Sequence, residues 1–208
     1  EYAPYKPSAE KFGYRNNADE EVGTNTNINV SENVLTMQKK VYMPYIEKYF
    51  EDRKFSYFEY SPGGPPEIDY IRHSTFDIND GRQSLGIQNT FSFIQEGLNG
   101  IDVFLDNIQH RAEGQMTGMR GLLEFAYNHK DEIKNLVKTE REKLVNNKVS
   151  HKVAIQLDHF SDGSKLELPL LSYYTNKDTV VTVSDYRPIV KSIYDVKRPK
   201  GYLVPKSL

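Results

Sequence analysis

Among the acidic residues of this 208-residue sequence, Glu96 has the setting best suited to proton transfer. It follows the β-prone run Thr90-Phe91-Ser92-Phe93-Ile94 and Gln95, and it precedes Gly97. A carboxylate at the end of a buried strand in an α/β sheet stands where ligands and catalytic groups gather. The same position also suits a plainer task, balancing the dipole of a helix that begins after Asn99. A second polar cluster lies upstream, Tyr70-Ile71-Arg72-His73-Ser74-Thr75-Phe76-Asp77 followed by Asn79-Asp80-Gly81-Arg82. Arg72 and Arg82 each carry the planar fork that clamps a carboxylate bidentately. The competing reading is a solvated loop with local Asp–Arg pairs, each worth under ~1 kcal/mol.

Other chemistries find little support. The five histidines stand at 73, 110, 129, 151 and 159, and no two are four residues apart. His151 and His159 share one face of an extended segment but lie about 26 Å apart along it. A metal site built within the chain is therefore not expected. No P-loop, dinucleotide fingerprint, nucleophile elbow or HExxH pair occurs. The absence of cysteine excludes a disulfide scaffold, an iron–sulfur site and a cysteine nucleophile.

The elements that must position these residues are set by composition and periodicity. Lys and Arg number 27 against 29 Asp and Glu, and a net charge of −2 argues against a dense phosphate-contacting surface for nucleic acid. Hydrophobic residues at 38% and charged residues at 27% are polar for a globular protein, yet not polar enough for disorder. The 15 Tyr and 10 Phe supply apolar surface for a core. No stretch reaches the ~20 apolar residues of a membrane span. The length fits one domain, or one plus a small appendage. The sequence opens Glu1-Tyr2-Ala3-Pro4 without a Met, and the expectation is a piece of a longer protein.

Residues 1–30 read as a long loop punctuated by Pro4, Pro7, Gly13 and Gly23. Ser31 marks a helix start. Val34, Leu35, Met37, Val41, Tyr42, Tyr45, Ile46 and Tyr49 recur at helical spacing to about Asp52, with Pro44 expected to kink or split the run. Phe55 to Tyr60 alternates as a strand, and Glu67 to Leu85 reads as loop. Leu105, Ile108, Ala112, Gln115, Met119, Leu122 and Ala126 form a helical stripe expected to pack on the core, with a second helix after Asn128. From His151 to His159 the alternation puts Val153, Ile155 and Leu157 on one face. Leu166 to Tyr174 and Thr179 to Val183 read as further strands, with turns at Gly163 and Asn176. The expected architecture is α/β, a partial mixed sheet with helices over residues 1–149, followed by a small β-rich unit over 150–208.

The segment Gly86-Ile87-Gln88-Asn89-Thr90-Phe91-Ser92-Phe93-Ile94-Gln95-Glu96-Gly97 resembles the strand of carboxypeptidase A-like zinc carboxypeptidases that ends in their catalytic glutamate, with the nearest likeness to large bacterial members. The opening Glu1-Tyr2-Ala3-Pro4-Tyr5 resembles the stretch directly after a zinc-ligand histidine in that family, and Arg198-Pro199-Lys200-Gly201-Tyr202 looks like the boundary after its catalytic domain. The resemblance implies the C-terminal part of a peptidase with Zn²⁺ in the intact parent, whose ligands lie upstream, and with Glu96 as general base and acid. It implies a peptide substrate and an extracytoplasmic location. By the same resemblance Tyr70 is the candidate for the family's mobile tyrosine, and Arg72 or Arg82 for contacts to the substrate carboxylate. The chain alone is then expected to be inactive and to self-associate through an uncovered sheet edge. The rival readings are a non-catalytic peptide- or glycan-binding module with a Tyr-rich β face, and a pseudo-enzyme that retains Glu96.

Overall fold

The computed structural model describes residues 2–3, 13–66, 68–98, 107–172, 174–201 and 203–206. Glu1, Pro4, Tyr5, Pro7, Asn99, Leu105 and Tyr202 lie outside the described residues. In chain order the first half runs β1 (Tyr2–Ala3), β2 (Tyr14–Asn16), β3 (Glu20–Gly23), α1 (Glu32–Met37), a π-helical turn (Gln38–Tyr42), α2 (Met43–Glu51), β4 (Tyr57–Glu59), β5 (Ile71–Arg72), α3 (Gly81–Gly86) and β6 (Ile94–Leu98). The second half runs α4 (Ile108–Asn128), α5 (Lys130–Val145), β7 (Lys152–Phe160), β8 (Leu166–Ser172), β9 (Lys177–Val183), β10 (Tyr186–Arg187) and β11 (Ile189–Lys197). The class is α/β, as expected. Its central sheet has the order β1-β6-β3-β4 and is mixed, with β3 antiparallel to β6 and parallel to β4. Smaller sheets pair β2-β8-β9, β7 with β11, and β5 with β10.

The first helical run keeps the expected limits. Val34, Met37, Tyr42, Ile46, Tyr49 and Phe50 form its buried stripe. Pro44 falls in the first turn of α2, where its missing N–H is tolerated, and the wider π-turn precedes it. Ser31 precedes α1 without a side-chain capping bond, and its N–H donates to Asn89 Oδ1 at 2.7 Å.

Four expectations are corrected. The described part of residues 1–30 is not loop: it supplies β2 and the central strand β3. The sequence Glu-Glu-Val-Gly carries no apolar alternation, so the pairing partners make this strand rather than its own propensity. The stretch read as loop up to Leu85 likewise holds β5 and α3, the first made by pairing with β10 and the second started by the Asp80 cap. The strand expected over 90–94 is displaced to Ile94–Leu98, so Glu96 lies mid-strand. Phe91 and Phe93 serve the core instead, Phe93 packing on Tyr42 with ring centroids 4.0 Å apart. The fourth correction concerns α4, where Ile108 and Met119 of the expected stripe are more than half exposed. The buried face of that helix is Gly114, Gly118, Gly121 and Phe125. Glycines let the helix axis approach the sheet and α2 closely, and Phe125 fills the space left beside Tyr42 and Tyr45.

In the tail, Gly163 and Asn176 do hold the left-handed conformations of turns. The face of β7 is less regular than its sequence, because Ile155 is 55% exposed and the pairing with β11 shifts register between Ser192 and Asp195. Strands of the tail pair with strands of the first half. Tyr14 of β2 lies opposite Ser172 of β8, and Ile71 of β5 opposite Tyr186 of β10. The Asn29 side chain also bonds both backbone groups of Ala154, at 2.8 and 2.9 Å.

The close approach of α4 yields a test. A Cβ at Gly118 would sit 2.2 Å from Gln95 Oε1, and the Gln95 amide is pinned by bonds to Glu20 and to the Gln115 carbonyl. Replacing an interior helical glycine by alanine gains up to about 1 kcal/mol of intrinsic propensity. Overpacking typically costs 1–3 kcal/mol, at roughly that scale here. Gly118→Ala is therefore expected to lower stability in a denaturant titration, and an equal or raised midpoint would refute the packing.

Candidate functional site

The site is built on the antiparallel pair β3 and β6. Their register sets Glu20 opposite Gly97, Glu21 opposite Glu96, Val22 opposite Gln95 and Gly23 opposite Ile94. Successive strand residues face opposite sides, so Glu21, Gly23, Ile94 and Glu96 share one face and Glu20, Val22 and Gln95 the other. Glu96 is 8% exposed and Glu21 is 6% exposed. Two buried carboxylates thus stand directly across from each other, a placement that costs stability unless charge is compensated.

Among the described residues, polar groups reach this face from three elements. Arg82 of α3 is buried, and its Nη1 lies where a Cβ on Gly23 would be 2.6 Å away. Only glycine leaves room for the guanidinium against this strand. Asp80 caps α3 by accepting from the N–H groups of Arg82 and Gln83 at 2.9 and 3.2 Å, and it holds Arg82 Nη2 at 3.2 Å. The local Asp–Arg pair is therefore real, but it orients a buried cation rather than decorating a solvated loop. Tyr60 lies under Arg82, with the guanidinium carbon 5.2 Å from the ring centroid. Burial first, then the Glu96, Glu21 and Asp80 charges, push its phenol up to about 12, while Arg82 pulls it down. Tyr60 stays a proton donor beside these acids. Asn16 of β2 donates to Glu21 Oε1 at 3.4 Å.

On the opposite face Glu20 is fully buried. Its Oε2 accepts from Gln95 Nε2 at 2.8 Å and from Gln115 Nε2 at 2.6 Å. Its Oε1 has no hydrogen-bond partner among the described residues and lies against Gly114. Burial dominates and pushes this carboxyl up to about 7, with the two amides pulling it down and Asp19 raising it. This acid locks α4 to the sheet.

The residues singled out in the sequence separate into two places. Glu96 and Arg82 converge around Tyr60. Tyr70 and Arg72 belong to the layer of β5 and β10, where the Tyr70 ring lies 4.1 Å from the Arg187 guanidinium carbon and Arg72 bears on His159. His73 beside them is almost fully buried, with Nδ1 3.4 Å from Glu59 Oε1. Burial above all, then Lys39 and Arg82, push its imidazole down to about 3. Sequence reasoning passes over Glu21 and Tyr60. The signal for Tyr60 is present at the end of the alternating run 55–60, whereas nothing local marks Glu21.

Among the described residues no group of three or more His, Asp or Glu side chains is placed to hold a metal ion, and no helix is long and apolar enough to cross a membrane. Comparison with protein-family models, with curated proteins and with solved structures finds no match to this chain.

Glu20 and His73 give stability opposite slopes with pH. The Glu20 carboxyl is raised from 4.5 to about 7, so its contribution is complete below pH 4.5 and lost as pH rises through 7. The His73 imidazole is lowered from 6.5 to about 3, so its contribution is present above pH 6.5 and lost as pH falls toward 3. Glu20→Gln is expected to gain on the parent chain by about 3 kcal/mol between pH 5 and pH 8, since each tenfold change in proton affinity is worth ~1.4 kcal/mol. Denaturant midpoints across that range check it, and parallel curves would count against a protonated Glu20.

Proposed function

We propose that this chain is the C-terminal part of a zinc carboxypeptidase-like peptidase, in which Glu96 moves the proton during peptide hydrolysis. The observation that supports the reading most is the buried Glu96 on β6, with Arg82 and Tyr60 on the same face. It joins the resemblance of Gly86–Gly97 to the strand bearing that family's catalytic glutamate. A general base needs a fixed position and a controlled charge, and strand pairing supplies the first while the surrounding acids and Arg82 set the second. Glu96 takes a proton from the hydrolytic water and returns it to the leaving amine. Arg82 is the candidate for orienting a substrate carboxylate, and Tyr60 for donating a hydrogen bond nearby. Tyr70 and Arg72 are more distant substrate-binding candidates in the β5–β10 layer.

The described residues do not fit a zinc site of their own. On this reading the ligands come from the upstream segment that the resemblance implies. The same reading carries with it a peptide substrate, an extracytoplasmic location and self-association of this chain in isolation. A second reading, a peptide- or glycan-binding module, is favoured by Ile155, Ile193 and Tyr194, each more than half exposed on the β7–β11 ribbon.

Glu96→Gln in the full-length protein separates these readings. The expected result is a loss of peptide hydrolysis of at least ~10²-fold with zinc content unchanged by elemental analysis. Near-normal turnover in that variant would remove the mechanism. Loss of peptide or glycan binding in Tyr194→Ser, with hydrolysis absent from the parent, would favour the module.

A further inference from the structure

Helix α4 buries Gly114, Gly118, Gly121 and Phe125 against the sheet and α2. At about 100° per residue, its large apolar side chains fall on the opposite side. Ile108, Met116, Met119, Leu123 and Tyr127 are between 49% and 70% exposed, and Ala112 is exposed among them. A continuous apolar stripe turned to solvent marks an interaction surface. The spacing along it is four, four, three, four and four residues, so it reads the same in both directions. A stripe of that kind fits an antiparallel copy of itself. About a twofold axis between Thr117 and Gly118, Ile108 meets Tyr127 of the second copy, Ala112 meets Leu123, and Met116 meets Met119. Small Ala112 then faces large Leu123, and the central methionines adapt well to an irregular gap.

The charges agree with the same axis. Glu113 and Arg120 are exposed and seven residues apart, so they share one flank of the stripe. Antiparallel pairing brings Glu113 of one copy alongside Arg120 of the other, twice over by symmetry. A parallel copy would turn that flank toward Gln115 and Leu122, which carry no charge. Flanking charges of both signs do not suit an anionic lipid surface, which selects Lys and Arg.

We propose that α4 is the interface of a symmetric antiparallel dimer of this chain, with Met116, Met119 and Leu123 at its apolar centre and Glu113 paired with Arg120 across the axis. The inference is independent of the peptidase reading. It places self-association on a helix face rather than on a sheet edge. Because α4 covers the Glu20 face of the sheet, the dimer does not cover the Glu96 face.

The test is sedimentation velocity of the chain, and of the full-length protein, over a micromolar concentration series. One helix pair falls at the low end of specific interfaces, about 1,200 Å², so a dimer that dissociates in the micromolar range is expected. Leu123→Glu is expected to weaken it at least ~10-fold. Leu123 is exposed, so the monomer fold is expected to survive, and circular dichroism checks it. Arg120→Glu is expected to raise the dissociation constant about tenfold, and E113R in the same chain to restore the parent value. That rescue keeps the proposal decidable if Leu123→Glu disturbs folding. Orientation is read by mixing chains that carry Ile108→Cys and Tyr127→Cys, since the chain has no cysteine of its own. The mixed disulfide is expected to form in preference to either homodisulfide. A monomer at every concentration, or a dimer indifferent to the Leu123 and Arg120 substitutions, would overturn the proposal. So would a dimer of the chain that is lost in the full-length protein, since another segment would then cover the stripe.

Discussion

Glu20 and Glu21 are neighbours on a central strand, so their side chains leave on opposite faces, and both are buried. Much of the structure answers that constraint. A buried carboxylate needs either a proton, a cation or several donors. The face toward α4 gives Glu20 two amide donors, and burial there raises its proton affinity. The face toward α3 gives Glu21 a cross-strand acid, a buried arginine nearby and an amide from β2. One face is chemically closed and serves packing. The other gathers two carboxylates, a phenol and a guanidinium.

Each supporting element is shaped by its acid. Helix α4 meets Glu20 through Gly114 and Gln95 through Gly118, since any side chain there would strike the polar cluster. Helix α3 is six residues long and stands on the Asp80 cap, and that cap places Arg82 beside Gly23. The same short helix carries Gln83, whose Oε1 accepts from the N–H groups of both Thr26 and Asn27 at 3.1 Å. The turn after β3 is thus tied to the element that compensates its charge.

The legible parts of this molecule are those written in local periodicity. The first helix can be placed from Ser31 to Asp52 because apolar residues recur every three to four positions. Strands β7 to β9 and the turns at Gly163 and Asn176 are visible for similar reasons. The sequence misleads where tertiary pairing outweighs propensity. Strand β3 is acidic and short, and β6 takes its limits from β3 rather than from its phenylalanines. The buried face of α4 is glycine, which a search for apolar stripes passes over. Glu96 is found by its strand, but Glu21 becomes visible only through a pairing 75 residues distant in the chain.

That dependence on pairing extends to the tail. Strand β2 is three residues long, yet Asn16 on it reaches Glu21 while Asn16 itself lies opposite Leu170 of β8. Leu168 and Leu170 of β8 bury beside Ile71 of β5, whose neighbours include His73 and, through Arg72, His159. The β-rich segment therefore touches the acid face through β2 and the histidine layer through β5. A sheet that carries buried charge is sensitive to strand slippage, because a shift of one residue would swap Glu21 with Glu20 and place each acid among the wrong partners. Pairing β2 with β8 resists that slip. The tail therefore bears on the register that sets Glu21 opposite Glu96, even though it supplies neither acid.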